Sequence, residues 1–448
     1  MRILVVGGGA REHAIAERLA NSASKPEVFV AMKNANPGLM RLAKEHKLVA
    51  ETDVPAVTDY ALEKKIELAI VGPEAPLEAG LVDALAGKGI FSASPSKAAA
   101  RIETSKEFMR TLLDKHNVPG HVRHATFDHE RDAKRYIEQM ESKVALKPIG
   151  LTGGKGVQVF GDHFTDASGA MVYVKEVLGK KVGGHAKILV EEKLEGEEFT
   201  LMCFSDGIRV KPLPCVQDHK RLLDGDKGPN TGGMGSYSQA DGLLPFVTAA
   251  DRDAGLNVVQ KIIDALKAEG CEYRGTIYGQ FMLTREGPKI IEVNARFGDP
   301  EAMNVLSVLD SDFADLAAEM ASGSLSNKKV TSRPLATVCK YVVPHGYGGA
   351  NPKSGVPIDV DEGAIRDEGA RVYYAAVNQG EKAGTVTTTG SRALGVVGFG
   401  KTIDDAEETC ERALTHVKAS GIYVRHDIGK RELVQRRVEH MRSIRQSV

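Results

Sequence analysis

The first hundred residues alternate between short apolar runs and stretches in which apolar residues recur every three or four positions. Short apolar runs are typical of buried strands, and the longer spacing is typical of helices that cover one face of a sheet. The predicted strands are residues 3–6, 28–31, 68–72 and 90–92. The predicted helices are residues 10–20, 60–65 and 79–86. This alternation with short loops predicts a doubly wound parallel sheet.

The pattern becomes less regular after residue 100. Residues 97–115 have helical spacing, and Pro119 with Gly120 ends the predicted helix. Residues 121–300 combine strand patterns, hairpins and glycine-rich loops, which predicts a mixed α+β region. Residues 305–322 predict an amphipathic helix.

The last third of the chain is rich in valine and threonine segments of strand character, with one predicted helix at residues 403–419. This pattern predicts a small C-terminal α+β domain. A final charged helix over residues 430–447 is expected to be a solvated edge element. We therefore expect three domains, at residues 1–104, 105–325 and 326–448.

The composition narrows the class of protein. The formal net charge of the 448 residues is -1, so no global basic field attracts nucleic acid or anionic lipid. No apolar run approaches the roughly 18 residues of a transmembrane helix, and early glycines interrupt any signal peptide. Five dispersed cysteines without a CxxC pair argue against a disulfide framework and a structural zinc, and they point to a cytoplasmic protein.

Three loops that follow predicted strands carry glycine or proline. They are GGGAREH at residues 7–13, NPG at residues 36–38 and GPEAP at residues 72–76. Free N–H groups at a helix start bind phosphate, and Arg11 favours such an anion. The first loop lacks the full dinucleotide fingerprint, because Glu12 takes the third glycine position, and a tight turn without a ligand is the alternative. All three loops are expected at the carboxyl edge of the sheet.

A lysine and a glycine-rich loop follow in the central region. Lys147 ends a predicted strand, and the loop TGGKG occupies residues 152–156. The lysine is placed to reach ATP phosphates, which the flexible loop would cover. The spacing differs from that of a Walker A loop. A hairpin turn with an exposed lysine is the alternative.

Two further segments are rich in charge. Residues 189–198, LVEEKLEGEE, lead a strand into an acidic hinge that could present backbone groups to adenine and a carboxylate to ribose. An acidic surface turn is the alternative. Residues 218–221, DHKR, place three potential cations before the run GPNTGGMG at residues 228–235, which suits an anionic substrate. The alternative here is a solvated run of charges.

The most specific pattern is the run IIEVNARFGDPE at residues 290–301. Residues 278–283 and 288–293 have the pattern of two strands, and the segment between them fits a three-residue hairpin with Gly287 in the left-handed position. This register places Gln280 opposite Glu292.

The polar side chains of this hairpin are predicted to share one face. Asn294 is two positions after Glu292, so the two side chains point the same way. Oxygen ligands with few carboxylates suit Mg²⁺ that is bridged to nucleotide phosphates. Arg296 lies on the same side if the strand continues, where it could pair a phosphate or a carboxylate. A buried polar hairpin with a satisfied salt bridge is the alternative.

Seven motifs resemble, in their order along the chain, those of the glycinamide ribonucleotide synthetase family: GGGAREHA, VGPEAPLEAGLVDAL, SKEFMR, GGKGV, QDHKR, GPNTGGMGSYS and IEVNARFGDPE. The resemblance spans nearly the whole chain, and RFGDPE is a distinctive family signature. It implies an N-terminal doubly wound parallel sheet, a central ATP-grasp domain whose two α+β subdomains clamp ATP, and a small C-terminal α+β domain.

The resemblance also implies roles for the motif residues. ATP would lie along Lys106, Lys147, Lys155, Glu191, Lys193 and Glu198. The candidates for holding phosphoribosylamine are Gly9, Arg11, Asn36, Gly38 and Glu74. The candidate ligands of Mg²⁺ or Mn²⁺ are Gln280, Glu292 and Asn294. Further substrate contacts would come from Lys220, Arg221, Arg296 and Asp299, and the catalytic candidates are Arg296, Lys155 and Asp218.

The implied reaction joins glycine to 5-phosphoribosylamine at the cost of ATP, through glycyl phosphate, as the second step of purine synthesis. A monomer or homodimer acting on small molecules is expected. The chain departs from the family pattern at residues 148–152, 302–304 and 344–349. Another ATP-grasp ligase, a nucleotide-dependent dehydrogenase and a non-enzymatic nucleotide-binding regulator are the competing interpretations.

Overall fold

The computed structural model describes residues 1–150, 156–327, 329–382 and 384–446. Its N-terminal sheet has five strands: β1 Arg2–Val6, β2 Glu27–Met32, β3 Glu45–Leu48, β4 Leu68–Val71 and β5 Phe91–Ser92. All are parallel, in the order β3-β2-β1-β4-β5, so the predicted doubly wound parallel sheet is confirmed. Strand β3 was not predicted, because its mostly exposed, charged residues at the sheet edge lack an apolar pattern.

Six helices accompany this sheet: α1 Ala10–Ala20, α2 Pro37–Leu42, α3 Val54–Glu63, α4 Glu74–Ala79, α5 Leu81–Ala86 and α6 Lys97–Thr104. The single helix predicted over residues 97–115 is instead α6 followed by α7, Lys106–Lys115. Ser105 separates them in an extended conformation, and its hydroxyl accepts the Phe108 N–H at 3.2 Å. This cap places Lys106 at the start of α7, where its ammonium donates to the Gly150 carbonyl at 2.9 Å.

A small subdomain follows α7 and has an apolar core of its own. Its elements are β6 His124–Phe127, α8 Glu130–Gln139, β7 Val144–Pro148, β8 Gln158–Val159, α9 Ala167–Lys180, the 3₁₀ turn Val182–Gly184 and β9 Ile188–Glu192. The antiparallel sheet has the order β6-β9-β7-β8, with α8 and α9 packed on it. Strand β7 pairs Lys147 with Leu189 of β9, two residues from Glu191, and the Lys147 ammonium reaches that carboxylate.

A larger subdomain faces the small one. Its strands are β10 Glu197–Asp206, β11 Val210–Pro212, β12 Gln217–Asp218, β13 Arg221–Leu223, β14 Lys227–Asn230, β15 Gly235–Ser238, β16 Arg274–Thr284 and β17 Gly287–Asn294. Its helices are α10 Ala249–Ala268, α11 Glu301–Val308 and α12 Phe313–Ser322. The main sheet has the antiparallel order β11-β10-β16-β17. The one helix predicted over residues 305–322 is two, because Asp312 accepts the first N–H groups of α12.

The β16–β17 hairpin pairs Gln280 with Glu292, as predicted, but by a different route. Thr284 pairs with Gly287, so the loop has two residues rather than three. An irregularity in register between Gln280 and Phe281 adds one residue to β17, since Phe281 pairs with Ile290. The extra residue offsets the shorter loop, and the polar side chains keep the predicted face.

The C-terminal region shares a sheet with the central one. Its elements are β18 Ala336–Pro344, β19 Ser354–Val360, α13 Glu362–Asp367, β20 Arg371–Tyr374, β21 Val377–Gln379, β22 Thr385–Thr389, β23 Leu394–Gly400, α14 Ile403–Leu414, β24 Val417–Lys418, β25 Ile422–Val424 and α15 Arg431–Gln446. One sheet has the order β12-β15-β18-β23-β20, with β25 beside β18, and another has the order β21-β22-β19-β24. Strands β12 and β15 thus join the C-terminal strands to the central domain.

The last helix, α15, is not the solvated edge element that its charges predicted. Leu433, Met441 and Ile444 are buried along one face. Its charges also make contacts, since Arg437 pairs with Glu197 of β10 at 3.1 Å. Among the described residues, none of the helices is both long and apolar enough to cross a membrane.

The close packing of α14 on β23 gives a stability test. A Cβ on Gly398 would lie 2.1 Å from the Ala406 carbonyl oxygen, so Gly398→Ala should destabilise the protein by about 1–3 kcal/mol. The control is Gly179→Ala within α9, where a Cβ meets nothing within 4 Å and helix propensity favours alanine by roughly 0.5–1 kcal/mol. Thermal unfolding should place Gly398→Ala below wild type and Gly179→Ala at or above it. Equal unfolding temperatures for the two variants would contradict this packing.

Candidate active site

The three N-terminal loops meet at the carboxyl edge of the parallel sheet, where they were expected. The Asn36 amide donates to the Gly8 carbonyl at 2.9 Å, which joins the second loop to the first. A Cβ on Gly7 would lie 2.9 Å from Pro73 Cδ, so the third loop packs directly against the first. Ligands of open α/β sheets bind at this edge.

Glu12 fills the turn between β1 and α1. Its carboxylate accepts the Gly9 N–H at 2.7 Å and the Arg11 guanidinium at 2.6 Å. A Cβ on Gly7 or Gly72 would lie less than 3 Å from Glu12 atoms, which explains the glycine at both positions. The Gly9 N–H that a dinucleotide pyrophosphate would need is therefore occupied by Glu12.

Asn36 and Gly38, both predicted to contact substrate, are tied into the fold. The buried Asn36 amide also donates to the Tyr374 carbonyl at 2.8 Å, and its oxygen accepts the Gly38 N–H at 3.0 Å. A Cβ on Gly38 would lie 2.1 Å from the ring of His13. These contacts hold the loop against β20, so Asn36 and Gly38 shape this edge of the sheet.

A cleft opens between the N-terminal sheet and the two central subdomains. The predicted site residues that line it are Glu74, Lys106, Lys147, Glu191, Asp218, Lys220, Glu292, Asn294, Arg296 and Asp299. Eight other predicted site residues do not line it: Gly9, Arg11, Asn36, Gly38, Lys193, Glu198, Arg221 and Gln280. Lys193 is exposed beside the Phe160 ring, and Arg221 pairs with Asp162 at 2.7 Å. Lys155 and the rest of the loop at residues 151–155 lie outside the described residues.

The predicted metal ligands form one polar group on β16 and β17. The Lys220 ammonium donates to Gln280 Oε1 at 2.6 Å and lies 3.5 Å from Glu292 Oε1. The Asn294 amide reaches Glu292 at 3.5 Å, and the Gln280 amide bonds the Glu198 carboxylate. The Lys220 ammonium thus lies between Gln280 and Glu292, two of the three predicted metal ligands.

This donor set fits a divalent cation that shares its ligands with phosphate. Burial opposes ionisation of Glu292, but Lys220, Lys147 and Lys106 outweigh it and lower its pKa to about 2. The carboxylate is therefore charged at neutral pH, as a metal ligand must be. In the described part of the chain, no group of three His, Cys, Asp or Glu is arranged to hold a metal ion.

A buried pair of cations surrounds Glu191 on β9. Arg110 contacts one carboxylate oxygen at 2.6 Å, and Lys147 contacts the other at 2.7 Å. Burial disfavours the charged form, yet these two cations lower the pKa of Glu191 to about 2. The Lys147 ammonium is thereby held at the cleft wall beside Lys106, where their charges can meet an anion.

Arg296 lies at the end of β17 between two carboxylates of the N-terminal domain. It contacts Glu103 at 2.9 Å and Glu74 at 3.5 Å. Asp299, three residues further, pairs with Arg392 of the C-terminal region at 2.9 Å. All three regions of the chain therefore contribute charges to this end of the cleft.

Asp218 and Glu301 form the acidic side of the cleft. Burial, reinforced by the charge of Glu301, raises the pKa of Asp218 well above its usual value. Burial likewise raises the pKa of Glu301, whose carboxylate accepts the Tyr278 hydroxyl at 2.9 Å. Asp218 Oδ1 is buried and has no hydrogen-bond partner among the described residues, so it is free to meet a substrate group.

Sequence reasoning missed Glu103, Arg110, Glu301 and Arg392. Glu301 stands within the run at residues 290–301 and Arg110 ends the motif SKEFMR, so both offered a signal, whereas Glu103 and Arg392 lie outside the motifs named above. It also counted His219 as a potential cation. His219 is buried, and burial lowers its pKa to about 3, so the ring is neutral.

Sequence models of the phosphoribosylglycinamide synthetase N, ATP-grasp and C domains match residues 1–103, 104–302 and 337–431. The Methanothermobacter thermautotrophicus phosphoribosylamine–glycine ligase is 48% identical over 99% of this chain and 100% of its own. The Pyrococcus furiosus protein of that name is 44% identical over 99% and 98%.

Solved structures agree with this match. The Thermotoga maritima phosphoribosylamine–glycine ligase has a TM-score of 0.80 and 27% identity, over 95% of this chain and 100% of that chain. A biotin carboxylase domain from Hydrogenobacter thermophilus has a TM-score of 0.75 and 16% identity, over 100% and 99%, which shows a common fold alone. The fold and the cleft define an ATP-grasp enzyme. Within that class, the chain belongs to the phosphoribosylglycinamide synthetase family.

The burial of Glu103 gives a test of the charge pattern in the cleft. Burial raises its pKa from 4.5 to about 7, although Arg296 opposes the shift. The folded protein then keeps a proton that the unfolded chain loses near pH 4.5, so this contribution to stability is lost as the pH rises toward 7.

Glu103→Gln removes that titration. Relative to the variant, the wild-type free energy of unfolding should fall between pH 4.5 and 7 by up to about 1.4 kcal/mol per pH unit. Urea unfolding of both proteins across this range measures the difference. A difference that stays constant with pH would show that Glu103 is not protonated in the folded protein.

Proposed function

We propose that the chain joins glycine to 5-phosphoribosylamine, with ATP converted to ADP and phosphate, in the cleft lined by Lys147, Glu292 and Arg296. The observation that carries the proposal is the meeting, in one cavity, of phosphate-binding lysines, an oxygen-ligand set and an arginine–aspartate end beside the N-terminal loops. The names of full-length relatives support the substrates. The five free thiols support a cytoplasmic location.

ATP would lie between the two central subdomains. Lys106 and Lys147 point into the cleft from the small-subdomain side and are placed to contact phosphate oxygens. Lys155 belongs to the glycine-rich loop that we assign as the cover of the phosphates, which would keep water from a reactive acyl phosphate. The hinge with Glu191, Lys193 and Glu198 would contact the nucleoside, with Glu191 also holding Lys147 in position.

Gln280, Glu292 and Asn294 would hold Mg²⁺ or Mn²⁺ together with phosphate oxygens. The cation supplies neutralisation of the charge that develops on the phosphates during transfer. The chain's own contribution is to orient these oxygens, since Lys220 and Glu198 fix Gln280 by hydrogen bonds.

Glycine and phosphoribosylamine would occupy the end of the cleft at Arg296, Asp299 and Asp218. Arg296 is placed to pair the glycine carboxylate or the transferred phosphoryl group. Gly9, Arg11 and Glu74 would border the phosphoribosyl group at the sheet edge, with Lys220 as a further contact from the cleft lining. Arg221 would reach this group only after leaving Asp162. Asn36 and Gly38 shape this edge, as their contacts support.

The chemistry follows in two steps. The glycine carboxylate attacks the γ-phosphate of ATP, giving glycyl phosphate and ADP, and this step depends on positioning and charge neutralisation. The amine of phosphoribosylamine then attacks the glycyl carbonyl, and phosphate leaves. Asp218 Oδ1 is our candidate to take the proton of the attacking amine, because it is buried at the cleft and has no hydrogen-bond partner among the described residues.

The competing interpretations differ in the ligand that they require and in whether ATP is consumed. A dehydrogenase needs the Gly9 turn for pyrophosphate, and Glu12 occupies it. A regulator would bind nucleotide without turnover, and another ligase would use a different amine or acid.

ADP release should require both glycine and phosphoribosylamine, and release without either substrate would refute the proposal.

Lys147→Ala tests the ATP lysine. Because one charge that neutralises the transferred phosphate is lost, kcat should fall at least about hundredfold, equivalent to about 2.7 kcal/mol. Arg110 still pairs Glu191, so the fold should persist. The matched control is Lys143→Ala, at the exposed residue just before the same strand, which should keep wild-type turnover. ADP release that is similar in both variants would remove Lys147 from the site.

Glu292→Gln tests the metal set. Loss of the carboxylate weakens cation binding, so the Mg²⁺ concentration for half-maximal ADP release should rise about tenfold, and the Mn²⁺ series should show the same direction. Glu286→Gln, in the exposed loop of the same hairpin, is the control and should leave both curves in place. Identical metal curves for Glu292→Gln and wild type would exclude Glu292 as a ligand.

A further inference from the structure

A second cavity, of about 620 Å³, lies between helices α1 and α2 of the N-terminal domain and the C-terminal elements α13 and β20. It shares none of its lining residues with the ligase cleft. Four arginines and two glutamates line it, which gives an excess of two positive charges. His13 adds no charge, because burial and the nearby Arg41 lower its pKa to about 3.

The positive charges of this cavity are poorly matched. Arg371 pairs with Glu17 at 3.3 Å, but that carboxylate also accepts the Tyr373 hydroxyl at 2.6 Å. Arg18 follows Glu17 on α1. Its Nε is buried and has no hydrogen-bond partner among the described residues. Burial and the charges of Arg371 and Arg333 lower the pKa of Arg18, so these guanidiniums lie close enough to repel one another.

Two further arginines line this cavity, and only Arg366 is available to a ligand. Arg41 is neutralised by Glu362, which it contacts at 2.9 and 3.0 Å. Arg366, on α13, is exposed and has no ion-pair partner in the described part of the chain. An excess of guanidiniums around a cavity is stabilised by an anion that several of them share.

The walls of the cavity are apolar where the arginines are absent. Ile365 is buried and Phe399 is partly buried, and both face the cavity with Leu335. The Arg371 guanidinium lies 5.6 Å from the centre of the Phe399 ring, which fixes the direction of its fork. Such a wall suits the carbon body of an organic ligand, while the arginines suit its charged end.

We propose that this cavity is a binding site for a phosphomonoester, whose phosphate lies among Arg333, Arg366 and Arg371. A phosphate monoester carries nearly two negative charges near neutral pH, which matches the excess of two, and its oxygens accept bidentate bonds from guanidiniums. The bound ligand joins α1 to the C-terminal domain. Because α1 begins at the Gly9 turn, occupation of the cavity constrains the far end of the helix that shapes the substrate edge.

Calorimetric titration of the full chain tests the site. The probes are adenosine monophosphate and inorganic phosphate, each added with saturating Mg-ADP so that the nucleotide cleft is filled. Arg366→Gln removes a side chain without a structural partner and should weaken binding about tenfold. Arg333→Gln should weaken it in the same direction. Tighter binding of the nucleotide than of phosphate supports an organic ligand, and equal binding supports the same site with free phosphate as its source.

Two control variants separate this site from others. Arg131→Gln removes an exposed arginine on α8 and should bind both probes as wild type does. Lys147→Ala alters the ligase cleft and should also keep wild-type binding. The proposal is overturned if neither probe binds, if Arg366→Gln and Arg333→Gln bind as wild type, or if Lys147→Ala alone abolishes binding.

Discussion

The pairing of buried cleft cations with carboxylates is the interaction on which the rest of the structure depends. Lys147 is held by Glu191, Lys220 lies beside Glu292, and Arg296 contacts Glu103. A charge removed from water is costly unless a partner meets it, so the cations needed for a nucleotide require these acids when the cleft is empty. The cleft is therefore preorganised by its own side chains.

These pairs join segments that are far apart along the chain. Glu103 belongs to the N-terminal domain and Arg296 to the end of β17, while Asp299 pairs with Arg392 of the C-terminal region. Strands β12 and β15 extend the C-terminal sheet into the central domain. Since Arg296 and Asp299 find their partners only when all three regions meet, this end of the site depends on the domain arrangement.

The β16–β17 hairpin shows how far sequence reasoning reaches. The partnership of Gln280 with Glu292 followed from the predicted hairpin register, although the loop is shorter than predicted and an extra residue in β17 restores the register. The departure from the family pattern at Met303 has a tertiary explanation. Its side chain occupies the space that a Cβ on Gly395 would need, so Met303 is matched by a glycine 92 positions further along the chain.

The sequence by itself determined the parallel N-terminal sheet, the hairpin and the motif residues of the cleft, because apolar spacing and turn chemistry act over a few neighbours. Tertiary structure decided which charges meet. It gave Arg296 the partner Glu103, made His219 neutral and turned Arg221 toward Asp162. It also gathered the arginines of the second cavity. Burial and charge partners depend on residues that are distant in the chain, so local sequence patterns do not predict them.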